Sequence, residues 1–142
     1  MLAMIFIGRT QELDLLKGLA QQSKAKLVVM RGRRRIGKSR LVEEASNQCR
    51  LLSFSGIAPI EGVSAQDQRQ TFSNQLSRQL NLPEMVFRDW DQLFEFLYRS
   101  LPQEPTIVLL DEISWMGSKD PTFLPKLKNA WDLFFSKNKI FS

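Results

Sequence analysis

Residues 27–42 constrain this chain more than any other stretch. The run Leu27-Val28-Val29-Met30 is apolar and rich in β-branched residues, and it stops just before Gly32. Gly-x-x-x-x-Gly-Lys-Ser then occupies Gly32 to Ser39, and Leu41, Val42 and Ala45 follow at helical spacing on one face. Strand, loop and helix in that order form the context a phosphate-binding P-loop requires. Gly32 and Gly37 let the backbone take positive φ and curl its N–H groups around a phosphate. The helix begun near Lys38 points its positive end at the same oxygens. Lys38 is expected to reach the β- and γ-phosphates, and the Ser39 hydroxyl to ligate Mg²⁺. The plainer reading of these residues is a basic, glycine-containing turn between a core strand and a helix.

Charge tests that reading. The chain of 142 residues carries a formal net charge of +5, which invites a nucleic-acid partner. Residues 31–40 hold six cations (Arg31, Arg33, Arg34, Arg35, Lys38 and Arg40) and no acid. Without those six of the twenty bases, fourteen face fifteen acids. The excess is one local cluster, accounted for if it surrounds a triphosphate. DNA contact by Arg33, Arg34 and Arg35 stays open as an alternative.

Other functions drop out by composition. The chain contains no histidine, so His-based zinc sites, Ser-His triads and imidazole acid–base chemistry are excluded within it. Its single cysteine, Cys49, allows no intrachain disulfide. The opening Met1–Ile7 run is apolar but lacks a basic leader and is far too short to span a bilayer. No membrane association and a cytoplasmic location are expected. A hydrophobic content of 43% is ordinary for one globular core.

Along the chain, Gly8 suggests a turn, followed by a helix with Leu13, Leu16, Leu19 and Ala20 on one face. Leu51 to Gly56 suggests a second strand, and Pro59 to Gly62 a loop. Ser64 with Asp67 makes a capping-box start for a helix whose Phe72, Leu76 and Leu80 face inward, and Asn81-Leu82-Pro83 breaks it. Asp89 with Gln92 starts another helix, with Trp90, Leu93, Phe94, Leu97 and Leu101 as its stripe. An aromatic stripe at that spacing belongs to a core. A last helix is expected between Thr122 and Lys137, burying Leu124, Leu127, Trp131 and Phe134.

Between the last two helices lies Thr106-Ile107-Val108-Leu109-Leu110-Asp111-Glu112. A continuous apolar run without alternation suits a strand buried on both faces of a parallel sheet. Carboxylates at the carboxyl end of such a strand sit where α/β sheets bind ligands. Adjacent acids can also be a mere strand-end turn. Downstream of a P-loop they read as Walker B: Asp111 holds Mg²⁺ through water, and Glu112 orients or deprotonates the attacking water.

With both motifs read, the chain resembles the archaeal-type ATPase family, a branch of the AAA+/STAND P-loop ATPases. The resemblance is carried by Phe6-Ile7-Gly8-Arg9-x-x-Glu12-Leu13, by Gly32 to Ser39, and by Leu109-Leu-Asp-Glu-Ile-Ser-Trp-Met116. It implies an N-terminal adenine-motif helix over residues 6–22, with Ile7, Gly8 and Arg9 against the base. It implies a triphosphate cradle of Gly32, Arg33, Arg34, Arg35, Ile36, Gly37, Lys38, Ser39 and Arg40 over Walker A 32–39. Walker B would span 106–112, with Ser39 and Asp111 on the metal and with Glu112 and Lys38 in the catalytic roles.

The expected fold is thus an α/β, three-layer P-loop NTPase of the ASCE/AAA+-like kind, a parallel sheet flanked by helices. The expected ligands are ATP or ADP and Mg²⁺, and the parent activity is ATP hydrolysis. A nucleotide-binding module that does not hydrolyse is the alternative. The resemblance also implies a further strand with a polar sensor residue inserted between the P-loop and Walker B strands, then helical or winged-helix and nuclease-like parts. That strand would begin at Lys139 to Phe141, so residues 1–142 are expected to form a partial ATPase domain, truncated before it. The P-loop strand would then lack a neighbour, with poor stability, weak turnover, self-association or need of a missing C-terminal domain as consequences.

Overall fold

Four parallel strands form the centre of the computed structural model, which describes residues 4–7, 26–30, 50–102 and 106–135. They are β1 (Met4–Ile7), β2 (Lys26–Met30), β3 (Arg50–Ser55) and β4 (Thr106–Asp111), in the spatial order β1-β2-β4-β3. The helices are α1 (Ala65–Leu80), α2 (Trp90–Ser100), a single turn α3 (Ile113–Met116) and α4 (Phe123–Ala130), which passes into a π-helical turn at Trp131–Phe135. The architecture is α/β.

β4 is central because its sequence suits no other place. Val108 and Leu110 enter the main core while Leu109, on the opposite side of the strand, is buried too. Only a strand covered on both faces tolerates such a run. β3 contributes Leu52 and Phe54 to the same core, which Phe72 and Leu76 of α1 and Trp90, Leu93, Phe94 and Leu97 of α2 complete. Phe54 stacks on Phe72 at 4.1 Å between ring centres, and Trp90 meets Phe72 and Phe123 edge to face. Among the described residues the buried Trp90 Nε1 has no hydrogen-bond partner.

The helix ends follow their sequence signals. Ser64 caps α1 through a reciprocal box, its Oγ accepting from Asp67 N while Asp67 Oδ2 accepts from Ser64 N. Asn81 closes α1 in the left-handed conformation. Asp89 caps α2, but its side chain accepts from Asp91 N, so no box forms with Gln92.

β3 is an edge strand, and its outer edge is occupied by side chains. Ser53, Ser55 and Ile57 turn their peptide groups away from β4. Gln79 Oε1 accepts from Ser53 N at 2.7 Å while its Nε2 donates to Ser53 O at 2.9 Å. Gln75 treats Ser55 the same way at 3.0 and 3.2 Å, and Gln68 treats Ile57 at 2.9 and 2.8 Å. Four helical residues advance about 6 Å and two strand residues about 6.6 Å, so Gln75 and Gln79 match the strand repeat. These carboxamides stand where another strand's peptides would, and they close the edge to pairing.

Several expectations are corrected. Met4–Ile7 is a strand, so the proposed helix over 6–22 cannot begin before Gly8. The strand expected to lack a neighbour, β2, does not: it pairs with β1 on one side and directly with β4 on the other, from Lys26↔Ile107 to Val29↔Leu110. Both rows of its peptide groups face a partner strand, which removes the stated reason for poor stability. The one-turn helix α3 was not expected. Leu124 is exposed, because Phe123, Leu127 and Ala130 at i, i+4 and i+7 take the inward face. The helix expected over 122–137 is α-helical only to Ala130, and the π-turn carries Phe134 onto Tyr98 at 5.5 Å. The helix expected after Gly8, the Gly32–Ser39 loop with its helix, and Lys139–Phe141 lie outside the described residues.

Two ion pairs pin the helical layer. Arg69 meets Asp120 at 3.2 Å and Lys126 meets Asp89 at 3.0 Å. The Asp89 carboxyl is held below its ordinary value by the Asp91 N–H and then Lys126, and Asp120 by the Thr122 hydroxyl. Lys126 is raised, chiefly by Asp89. For a lowered carboxyl the stabilisation is complete above the ordinary value of 3.8 and is lost as pH falls through the lowered one. The Lys126 contribution persists until pH rises through its own raised value. Stability followed by urea midpoint should therefore fall on acidification below the ordinary carboxylate range, and Asp120→Asn should flatten that acid limb.

Candidate functional site

Because all four strands are parallel, their carboxyl ends share one edge of the sheet. Register fixes which residues stand level there. Ile7 is opposite Met30, Val29 is opposite Leu110, and Ser55 is opposite Asp111. Met30 and Asp111 are each the next residue after the last β2–β4 pair, at the ends of adjacent strands. The chain leaves β2 at that point toward Gly32. Ile7, paired with Met30, ends the strand beyond β2.

Asp111 and Glu112 are both buried, at 5% and 3% exposure. The Asp111 Oδ1 accepts a hydrogen bond from the Glu112 N–H at 2.9 Å, which fixes one carboxylate relative to the next peptide. Glu112 itself has φ 56° and ψ 48°, left-handed backbone in a non-glycine residue. Such a conformation costs about 1–2 kcal/mol and persists only where surrounding contacts over-determine it. Here it turns the chain from β4 into α3, with the Glu112 carbonyl accepting from Trp115 N at 3.0 Å and Met116 N at 3.2 Å.

Gly56 supports this turn from the neighbouring strand. Its N–H donates to Asp111 O at 3.3 Å, continuing the β3–β4 ladder one step. A Cβ at Gly56 would lie 2.8 Å from Met116 N, 2.9 Å from Glu112 O and 2.9 Å from Trp115 Cβ. Only a residue without a side chain allows β3 to press against the Glu112 turn this closely. The sequence marked Gly56 as a strand end; its close approach to residues some sixty positions away left no local signal.

Of the residues the sequence nominates, Asp111 and Glu112 are thus adjacent, buried and at the carboxyl edge, with Ile7 at the end of β1, two strands away. Gly8, Arg9, Gly32, Arg33, Arg34, Arg35, Ile36, Gly37, Lys38, Ser39 and Arg40 lie outside the described residues. Among the described residues no group of three or more carboxylate or cysteine side chains could cage a metal. One strand-end carboxylate is still a fitting donor for Mg²⁺, which is held by one or two carboxylates together with water and phosphate oxygens. Two surface grooves lie elsewhere. One, of about 480 Å³, is lined by Ser77, Arg78, Asn81 and Glu84, the other by Phe87, Glu95, Phe96 and Arg99, and neither includes Asp111 or Glu112.

Among the described residues no helix is long and apolar enough to cross a membrane. No family model, curated protein or solved structure matches the chain.

Gly56→Ala tests the close approach. The added methyl meets backbone atoms that cannot swing aside, so unfolding by urea should show a loss of about 1–3 kcal/mol, the usual range for overpacking. An unchanged midpoint would mean that the β3–α3 contact is looser than these distances.

Proposed function

We propose that the chain binds ATP·Mg²⁺ at the carboxyl edge of its sheet and is an ATP-hydrolysing P-loop domain. The observation that supports this best is the direct parallel pairing of β2 with β4. It sets the strand leading toward Gly32–Ser39 beside the strand ending in Asp111, with Met30 and Asp111 each following the Val29↔Leu110 pair. A loop gripping a triphosphate and a carboxylate serving its metal must open onto the same edge of the sheet, as these two strand ends do.

In this reading Lys38 neutralises charge on the β- and γ-phosphates, and the backbone N–H groups of Gly32 to Ser39 cradle them. Ser39 and Asp111 would hold Mg²⁺, which when bound draws charge from the phosphate oxygens. Glu112, buried and held at a fixed turn, accepts the proton of the attacking water. The water oxygen bonds to the γ-phosphorus, the bridging P–O bond breaks, and ADP leaves with its electron pair. Ile7, Gly8 and Arg9 would border the adenine, which fits the place of Ile7 at the end of β1. The family this resembles is the archaeal-type ATPase branch of AAA+/STAND proteins. Its expected additional strand between β2 and β4 would require the four register pairs joining them to open. The three-layer ASCE assignment therefore rests on the sequence motifs, not on strand order.

Thermal or chemical unfolding with and without ATP·Mg²⁺ tests the site. At ligand a hundredfold above Kd the wild type should gain about 2.7 kcal/mol, and Lys38→Ala should lose that gain. Equal ligand-induced shifts in the two proteins would refute the assignment. Glu112→Gln should keep ATP binding while turnover falls, whereas Asp111→Asn should weaken the Mg²⁺-dependent part of binding. Titration of Mg²⁺ against a fluorescent ATP analogue separates them, and identical behaviour would remove the division of roles.

A further inference from the structure

We propose that Gln68 is a positioning residue for Glu112, acting through Ile57 and Gly56; what Glu112 does rests on the ATPase reading above, but the geometry does not. Gln68 is a polar side chain at 1% exposure, and both ends of its carboxamide are spent on one residue, Ile57. Its Oε1 accepts from Ile57 N at 2.9 Å and its Nε2 donates to Ile57 O at 2.8 Å. Ile57 is the residue after Gly56, where even a Cβ would come within 2.9 Å of Glu112 O, Trp115 Cβ and Met116 N. A displacement of Ile57 is thus passed within one residue to the wall behind the Glu112 turn.

The other two glutamines make the comparison. Gln75 and Gln79 hold Ser55 and Ser53 with the same paired contacts. Those residues already lie within the β3–β4 ladder, opposite Asp111 and Leu109. Their positions are fixed by the sheet whether or not the carboxamides are present. Ile57 lies past the last ladder residue, where Gln68 supplies the hydrogen bonds to both of its peptide groups. Three chemically alike contacts therefore differ in what depends on them. Loss of any one uncovers part of an edge, but loss of the Gln68 contact also releases the support of a left-handed Glu112 that the turn alone does not favour.

The test compares Gln68→Met, Gln75→Met and Gln79→Met, which keep side-chain length and remove the amide. Native-state hydrogen exchange is read at the Gly56, Trp115 and Met116 amides, relative to the global stability of each variant. Gln68→Met should speed exchange at Trp115 and Met116 by about tenfold or more beyond the other two variants, as local opening of that turn requires. Gln68→Glu, which keeps the acceptor for Ile57 N–H, should recover part of the protection and carries the test if Gln68→Met does not fold. Where the wild type turns over ATP, Gln68→Met should lower kcat by about tenfold while KM and the Kd for Mg·ATP stay unchanged, the signature of a lost positioning contact. Equal exchange at Trp115 and Met116 across the three methionine variants would overturn the proposal, as would a KM effect without a kcat effect. A wild type that neither binds nor hydrolyses Mg·ATP, with the exchange difference intact, would instead sink the ATPase reading and leave Gln68 as the support of the turn.

Discussion

The structure depends on β4 being paired along both sides. Its ladder to β2 sets the strand that precedes Gly32 in sequence beside the one that ends in Asp111, and its ladder to β3 brings Gly56 against the Glu112 turn. The apolar run from Ile107 to Leu110 makes this position favourable. A strand with Val108, Leu109 and Leu110 all buried gains most where helices or loops cover both faces and strands flank both edges. The acids at its end are thereby carried to the boundary of the core, where a low dielectric strengthens any interaction with phosphate or metal.

That boundary is costly to build. Two adjacent carboxylates are almost fully withdrawn from water, and the second adopts a backbone conformation that glycine would take more easily. A chain selected for stability alone would have no reason to keep a glutamate there. Among the described residues, contacts that support the turn include the Asp111 carboxylate of β4, the Trp115 and Met116 amides of α3, and Gly56 at the end of β3. A strained backbone at a strand end, held by contacts from neighbouring elements, is what the proposed role of Glu112 would require.

Much of this was legible in residue order. The continuous apolar stretch from Thr106 announced a doubly covered strand, Ser64 with Asp67 announced a capped helix, and the Phe72 and Leu76 pair announced its buried face. Those signals are local, and local chemistry decides them. Met4–Ile7 was missed because four apolar residues beside a glycine carry no periodicity to distinguish a strand from a lead-in to a helix. Leu124 was misplaced because Phe123 and Leu124 are both apolar and one turn of helix can bury either; packing against Trp90 and Phe94 selected Phe123. The pairing of β2 with β4 and the glutamine-lined edge of β3 join residues far apart in the chain, and no short-range pattern encodes them.

Whether Ser39 and Asp111 act on one bound nucleotide is the question on which the account turns. A double-mutant cycle on Mg·ATP affinity with Ser39→Ala and Asp111→Asn measures it most directly. If the two side chains serve the same metal, their effects should be non-additive, with a coupling energy of about 0.5–3 kcal/mol. Additive effects within about 0.5 kcal/mol, or a wild type without Mg²⁺-dependent affinity for ATP, would contradict a single site at the carboxyl edge of β2 and β4.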